Sequence, residues 1–260
     1  LAIQRKADWQ LLPKTNDPTM KKASGRFIDY TPTANTQSHI IGIDSSYNSI
    51  TKAGFVVNAV AVAACDVTGL LWSDAILALN ADSSKVAAHL ETKAVKAVAA
   101  HNALILVDGA LYSFIRHPHE LKMLWNQIWK QNNVIFVAKT STANSLGGIL
   151  PDLYYYQNSS YVPGFSMPSV DSIGTNKEIT SSYIRLGPHS PILKIELAGS
   201  GHTESDIEKI MNKLVTNAIA GYPYELWLAH HTTILKNTDM ESLASQLNIS
   251  GYPNARAVLE

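Results

Sequence analysis

Residues 39–66, HIIGIDSSYNSITKAGFVVNAVAVAACD, decide the fold. HIIGID is a short apolar run ending in a carboxylate, Asp44, and GFVVNAVAVAACD is a long β-branched run. GLLWSDAILAL follows at 69–79, with turn residues between the segments. Apolar, β-branched runs bounded by turn residues read as strands. Three of them so close in sequence are most simply an antiparallel meander. The period then changes. In SSKVAAHLETKAVKAVAAHN, from Ser83, a helical wheel puts Val86, Ala87, Leu90, Ala94, Ala97 and Val98 on one face and Lys85, His89, Lys93 and Lys96 on the other. LILVD (104–108) is a buried strand ending in a second carboxylate, Asp108. A helix over Pro118–Gln131 and the strand VIFVAK, ending in Lys139, complete the series.

The order β-β-β-α-β-α-β, with carboxylates ending the first and fourth strands, is the outline of a ribonuclease H-like α/β core built on a mixed sheet. There the first and fourth strands are neighbours, so Asp44 and Asp108 meet at one edge of the sheet. Glu91 is the third member. It is the one charged side chain inside the apolar face of its helix, about 20° from Val98 on the wheel. An ionised carboxylate in a core costs several kcal/mol unless something pairs it. Three carboxylates brought together repel unless a divalent ion neutralises them, and hard oxygen ligands suit Mg²⁺ or Mn²⁺. Singly, Asp44-Ser45-Ser46 reads equally as a loop cap and Asp108-Gly109 as a turn. The argument lies in their joint placement.

Composition narrows the classes. The chain has 260 residues, 21 basic against 21 acidic, 46% apolar and 16% charged. That excludes intrinsic disorder. The single cysteine, Cys65, excludes an intramolecular disulfide and a Cys-rich zinc site. The most apolar run, Gly54 to Trp72, is broken by Asn58 and Asp66, too polar for a spanning helix. The first ten residues, LAIQRKADWQ, lack a signal-peptide core, so a cytoplasmic protein is expected. Balanced charge excludes a domain that is basic throughout. It does not exclude DNA, because acids committed to a metal leave the loaded site more positive than the count. No GxSxG elbow occurs, and Leu146-Gly147-Gly148 lacks the ending of a phosphate loop.

Five stretches resemble, in order, the motifs of the NurA nucleases, prokaryotic DNA end-processing enzymes. They are IIGIDSS, the helix carrying Glu91, LILVDGALYS, VAKTST and GYPYELWLAHH, within residues 39–240. The resemblance implies a Mn²⁺- or Mg²⁺-dependent DNA nuclease holding two ions, of the 5′–3′ exonuclease and single-strand endonuclease type. It further implies a role in end resection and double-strand break repair, a homodimer, a HerA-type helicase partner and a nucleoid-associated location. By position, Asp44, Glu91, Asp108 and His230 would be the metal ligands. Lys139 and Tyr183 would contact the scissile phosphate. His231 rivals His230; on a helix the two point about 100° apart, so one alone can face the site. Asp44 is followed by Ser45, where the family usually has glycine. A catalytically silent adaptor for a translocase, or another ribonuclease H-like nuclease, is the alternative.

The expected organisation is an N-terminal arm (1–38), a nuclease domain (39–240) and a tail (241–260). The domain carries a Tyr/Pro/Gly-rich insertion (about 147–180) and C-terminal helices. Within the insertion, Tyr154, Tyr155, Tyr156, Tyr161 and Phe165 form a base-stacking surface for single strands, a local packing cluster or a dimer contact.

Overall fold

The computed structural model describes residues 17–34, 38–52, 55–131, 133–173 and 177–247. The sequence also reads as a short helix near Ala7–Leu12, which lies outside these residues. Helix α1 (Pro18–Arg26) and strand β1 (Phe27–Asp29) open the described chain. The meander follows as β2 (Ile40–Lys52), β3 (Phe55–Asp66) and β4 (Gly69–Leu79), paired antiparallel in sequence order. Next come α2 (Ser83–Val98), β5 (Leu104–Asp108), α3 (Pro118–Gln131) and β6 (Val134–Ala138). β2, β5 and β6 run parallel. This is the ribonuclease H-like core order the sequence implies.

One boundary differs from the sequence reading. Asp44 does not end its strand: β2 continues to Lys52 because β3 pairs with it residue for residue, from Gly42↔Cys65 to Lys52↔Phe55. The polar stretch SSYNSIT is held by this long hairpin, which overrides its weak strand propensity. What ends beside Asp44 is the pairing with β5, last registered at Ile43↔Val107. The next residues on each strand are Asp44 and Asp108.

Alternation along these strands separates two faces. Ile41, Ile43, Ile105 and Val107 point to the side covered by α2 and α3. Ile40, Leu104 and Leu106 point to the other, with Gly42, Asp44 and Asp108 in the same alternation. That second face is covered by α5 (Glu204–Leu214) and α6 (Tyr224–Thr233), through Ile207, Met211, Leu214 and Leu226. Each such fully buried aliphatic contributes roughly 1.5–3 kcal/mol. On α2 the buried arc includes Ala88 and Val95, while Ala97, expected inside, is exposed. Helix α7 (Asn237–Gln246) caps the β2 hairpin, Asn48 Nδ2 donating to Leu235 O at 3.0 Å and to Asn237 Oδ1 at 3.1 Å.

The insertion is part of the sheet. It supplies α4 (Asp152–Ser159), β7 (Gly164–Ser166), β8 (Ser169–Ser172) and the start of β9 (Glu178–Arg185), which pairs with β10 (Leu193–Ala198). The resulting sheet has ten strands in the order β1-β7-β9-β10-β6-β5-β2-β3-β4, with β8 beside β9. Residues 27–29 of the expected arm are therefore its edge strand. Tyr155, Tyr156 and Phe165 are buried, and the Tyr155 hydroxyl accepts from the amides of Ile149 and Leu150. They pack locally instead of forming a stacking surface; among the five aromatics Tyr161 alone is exposed.

Tyr155→Ala should destabilise the fold by about 3–5 kcal/mol. Tyr161→Ala should fall within about 0.5 kcal/mol of the parent. Thermal unfolding of the two variants measures both.

Candidate metal centre

Asp44, Asp108 and His230 each offer a ligand atom, and these atoms lie within 4.8 Å of one another. Asp44 and Asp108 arrive by register. His230 arrives by helix packing, and a glycine permits it. A Cβ on Gly42 would collide with the backbone of Glu225 and Leu226. Only glycine lets the first turn of α6 sit directly on β2. One turn further along, His230 Nδ1 donates to Asp44 Oδ2 at 2.7 Å. His231 turns away: its Nδ1 meets Trp227 O at 2.8 Å, and its ring lies 4.0 Å from the Trp227 ring. The histidine facing the carboxylates is His230.

Lys139 follows β6, the next strand over, and its Nζ is 2.7 Å from Asp108 Oδ2. It also lies 4.7 Å above the Tyr222 ring. Tyr222 belongs to a two-stranded hairpin, β11 (Ala218–Ile219) and β12 (Tyr222–Pro223), turned by Ala220 and Gly221, both at positive φ. A two-residue turn of that kind matches the twist of its strands. It brings the Tyr222 hydroxyl to Asp108 Oδ2, 3.3 Å away. The sequence reading gives Tyr222 no role; its place in GYPYELW was the available signal.

Glu91 approaches from the opposite face. Its Oε1 accepts from Ser45 Oγ at 2.5 Å, and Ser45 lies on the α2 side of β2. Glu91 is therefore near the cluster without being one of its three mutually close ligands. Ser45 has a structural part: it is an ordinary strand residue whose hydroxyl fixes the Glu91 carboxylate. Tyr183 is placed elsewhere. It stacks on Tyr156 with ring centroids 4.7 Å apart and is buried in the insertion's core, its hydroxyl on the Ser141 side without a well-formed hydrogen bond. The structure does not bring it into the cluster.

The electrostatics are those of an under-neutralised acidic site. Burial raises the Asp44 carboxyl above its usual range and Asp108 adds repulsion, while His230 and Lys139 pull the other way. Glu91 is pushed up to about 8 by burial; the Ser45 hydrogen bond opposes this, and Asp44 and Asp108 add to it. Burial and Asp108 also raise the Tyr222 phenol. Lys139 and His230 offset these acids only in part, and carboxylates with an imidazole suit a hard divalent ion. The donor set fits Mn²⁺ or Mg²⁺.

A family model described as the NurA domain matches residues 38–233. The chain belongs to the NurA family. Its fold is similar to the crystal structure of the NurA nuclease from Sulfolobus solfataricus, with a TM-score of 0.76 at 19% identity over 97% of this chain and 96% of that one. A NurA structure with manganese matches with a TM-score of 0.67 at 12% identity, over 96% of this chain and 98% of that one. A NurA structure bound to dAMP and manganese matches with a TM-score of 0.63 at 12% identity, over 100% and 98%. No curated protein matches this chain in sequence. No described helix is long and apolar enough to cross a membrane.

Two outcomes follow from the geometry. Gly42→Ala should lift α6 from β2, cost at least about 1–3 kcal/mol and lower the melting temperature. The second concerns pH. Between 4.5, the ordinary Glu value, and about 8, folded Glu91 keeps a proton that the unfolded chain has released. Metal-free stability should therefore fall as pH rises through that interval. Glu91→Gln should flatten this dependence, which denaturant melts at pH 5 and pH 8 would read.

Proposed function

We propose that this protein is a metal-dependent DNA nuclease that hydrolyses phosphodiester bonds. The observation that carries the reading is the Asp44–Asp108–His230 cluster with Lys139 at its side. The manganese- and dAMP-containing relatives support it. Asp44, Asp108 and His230 would hold Mn²⁺ or Mg²⁺, with Glu91 reaching the site from the α2 side. Two ions per chain is the stoichiometry we expect. A divalent ion there supplies Lewis-acid polarisation of a phosphoryl oxygen and lowers the pKa of bound water.

The remaining work falls to the chain. The amide of Ser45 donates to Asp44 Oδ1 at 2.8 Å and His230 donates to Oδ2, so both oxygens of that carboxylate are oriented. Lys139 places a point charge where a non-bridging phosphate oxygen would lie. Tyr222 steadies Asp108 and keeps a hydroxyl at the same edge.

Family membership is the basis for the finer reading: 5′–3′ exonuclease and single-strand endonuclease action in end resection, as a homodimer serving a HerA-type helicase at the nucleoid. A silent adaptor is disfavoured by the retained set. Asp44, Glu91, Asp108, Lys139 and His230 are all present, and a chain released from catalysis has no reason to keep acids that oppose its own folding.

With Mn²⁺ present, the protein should degrade single-stranded DNA and open duplex ends faster than RNA–DNA hybrid. Asp108→Asn and His230→Ala should abolish this degradation. Lys139→Ala should slow it by about 10²- to 10³-fold, the usual cost of one charge-stabilising donor. Asp108→Asn digesting DNA at the parental rate would sink the assignment. Titration calorimetry with Mn²⁺ counts the ions.

A further inference from the structure

A cavity of about 1030 Å³ lies at the opposite end of the sheet from the metal centre. It is bounded by the residues that lead into β2, β5 and β6, by the loop that follows β10, and by one side of α5. Leu104 lines it, and Asp108 ends the same five-residue strand. At about 3.3 Å per residue, the two sites are roughly 13 Å apart through the sheet.

The floor of the cavity is apolar: Leu104, Ile135, Leu197 and Ile210 are all buried in the core on the α5 side. Its rim is cationic. Lys209 and Lys213 are one turn apart on α5, on the side of the helix that Ile210 shares. The one acid in the lining, Asp206, is committed to the helix cap. It accepts from the Thr203 amide at 3.0 Å and from the Thr203 hydroxyl at 2.9 Å. Asn133 adds a neutral demand. Its Nδ2 donates to Ala103 O at 2.6 Å, which fixes the orientation of the amide. Its Oδ1 is shielded from solvent and has no partner among the described residues. A buried acceptor left unpaired keeps its full desolvation cost, and a donor on a ligand would remove it.

We propose that this cavity is a second ligand site and that it takes a mononucleotide. Lys209 and Lys213 would hold the phosphate, the base would lie on the apolar floor, and an N–H of the base would meet Asn133 Oδ1. The volume is at the upper end of small-ligand sites, about 300–1,000 Å³, and far exceeds what a free phosphate fills. An inorganic anion would leave the apolar floor bare. An apolar acid would satisfy the lysines and the floor and leave Asn133 unpaired. A nucleotide meets all three demands. Asp44, Asp108 and His230 form the one metal-ligating cluster among the described residues, so the cavity binds its ligand without hydrolysing it. The inference does not depend on the nuclease reading.

The test titrates the full chain calorimetrically with AMP, adenosine and inorganic phosphate. EDTA is present throughout, to keep divalent ions from the metal centre. AMP should bind, and adenosine and phosphate should each bind roughly tenfold or more weakly. Changing Lys209→Ala and Lys213→Ala together should weaken AMP by a similar factor and leave adenosine unchanged. Both lysines lie outside the core, so this variant should keep the parental melting temperature. Asn133→Ala should weaken AMP and adenosine alike and leave phosphate unchanged. No heat with AMP would overturn the proposal. So would phosphate binding as tightly as AMP, which would make the site one for simple anions. AMP binding that vanishes in Asp108→Asn and survives in the lysine variant would belong to the metal centre, and would overturn it as well. DNA cleavage is not read in this experiment, so the nuclease proposal stands or falls separately.

Discussion

Two carboxylates at the same level of neighbouring parallel strands cannot both stay charged at low cost, and the rest of the site answers that constraint. Register puts Asp44 beside Asp108, one residue past the last pair of the β2–β5 ladder. The groups around them are those that lower the cost: the Lys139 ammonium, the His230 imidazole, the Tyr222 hydroxyl and the Ser45 amide. They do not complete the neutralisation. Glu91 brings a third carboxyl, which burial pushes up to about 8, with Asp44 and Asp108 pushing the same way. A fold selected for stability alone would replace one of the three with a neutral side chain. Keeping them is the mark of a site whose missing charge comes from a ligand.

Much of this was legible in the sequence because it depends on short-range pattern. A strand period gives the face of Asp44 and Asp108, and a helix period gives the inward side of Glu91. The order of elements then makes the strands neighbours. His230 over His231 was legible only as a motif position; the Trp227–His231 ring contact and the Asp44 hydrogen bond separate them in space. Other features depend on contacts between residues far apart in the chain. The strand length of β2 is set by β3 and not by its own polar residues. Tyr222 reaches Asp108 across 114 positions through the turn of a hairpin. Tyr183 fits its motif in order, yet β9 turns it into the insertion's core.

The insertion illustrates the same limit. Gly, Pro, Ser and Tyr in a long stretch suggest an appended loop, since the first three favour turns. Here the tyrosines supply apolar bulk and a hydroxyl each, so Tyr155 fills a core and closes two backbone amides at once. Asp152, fully buried in the same segment, accepts from the amides of Ser145 and Leu146 and from the Ser145 hydroxyl. Polar composition therefore concealed a packed layer, and the aromatic surface near the metal centre comes instead from α6.

The close seat of α6 on Gly42 also bears on when activity can appear. Asp44 and His230 are 186 positions apart, and the helix bearing His230 is laid onto a sheet whose core strands are synthesised well before it. A chain growing from its N-terminus can form β2, β3, β4 and β5 and still lack the imidazole and the Tyr222 hydroxyl. A fragment broken before residue 222 would be in the same state. The arrangement makes completion of the cluster a late event in the life of each molecule, so half-made or clipped copies carry the acids of the site without its imidazole.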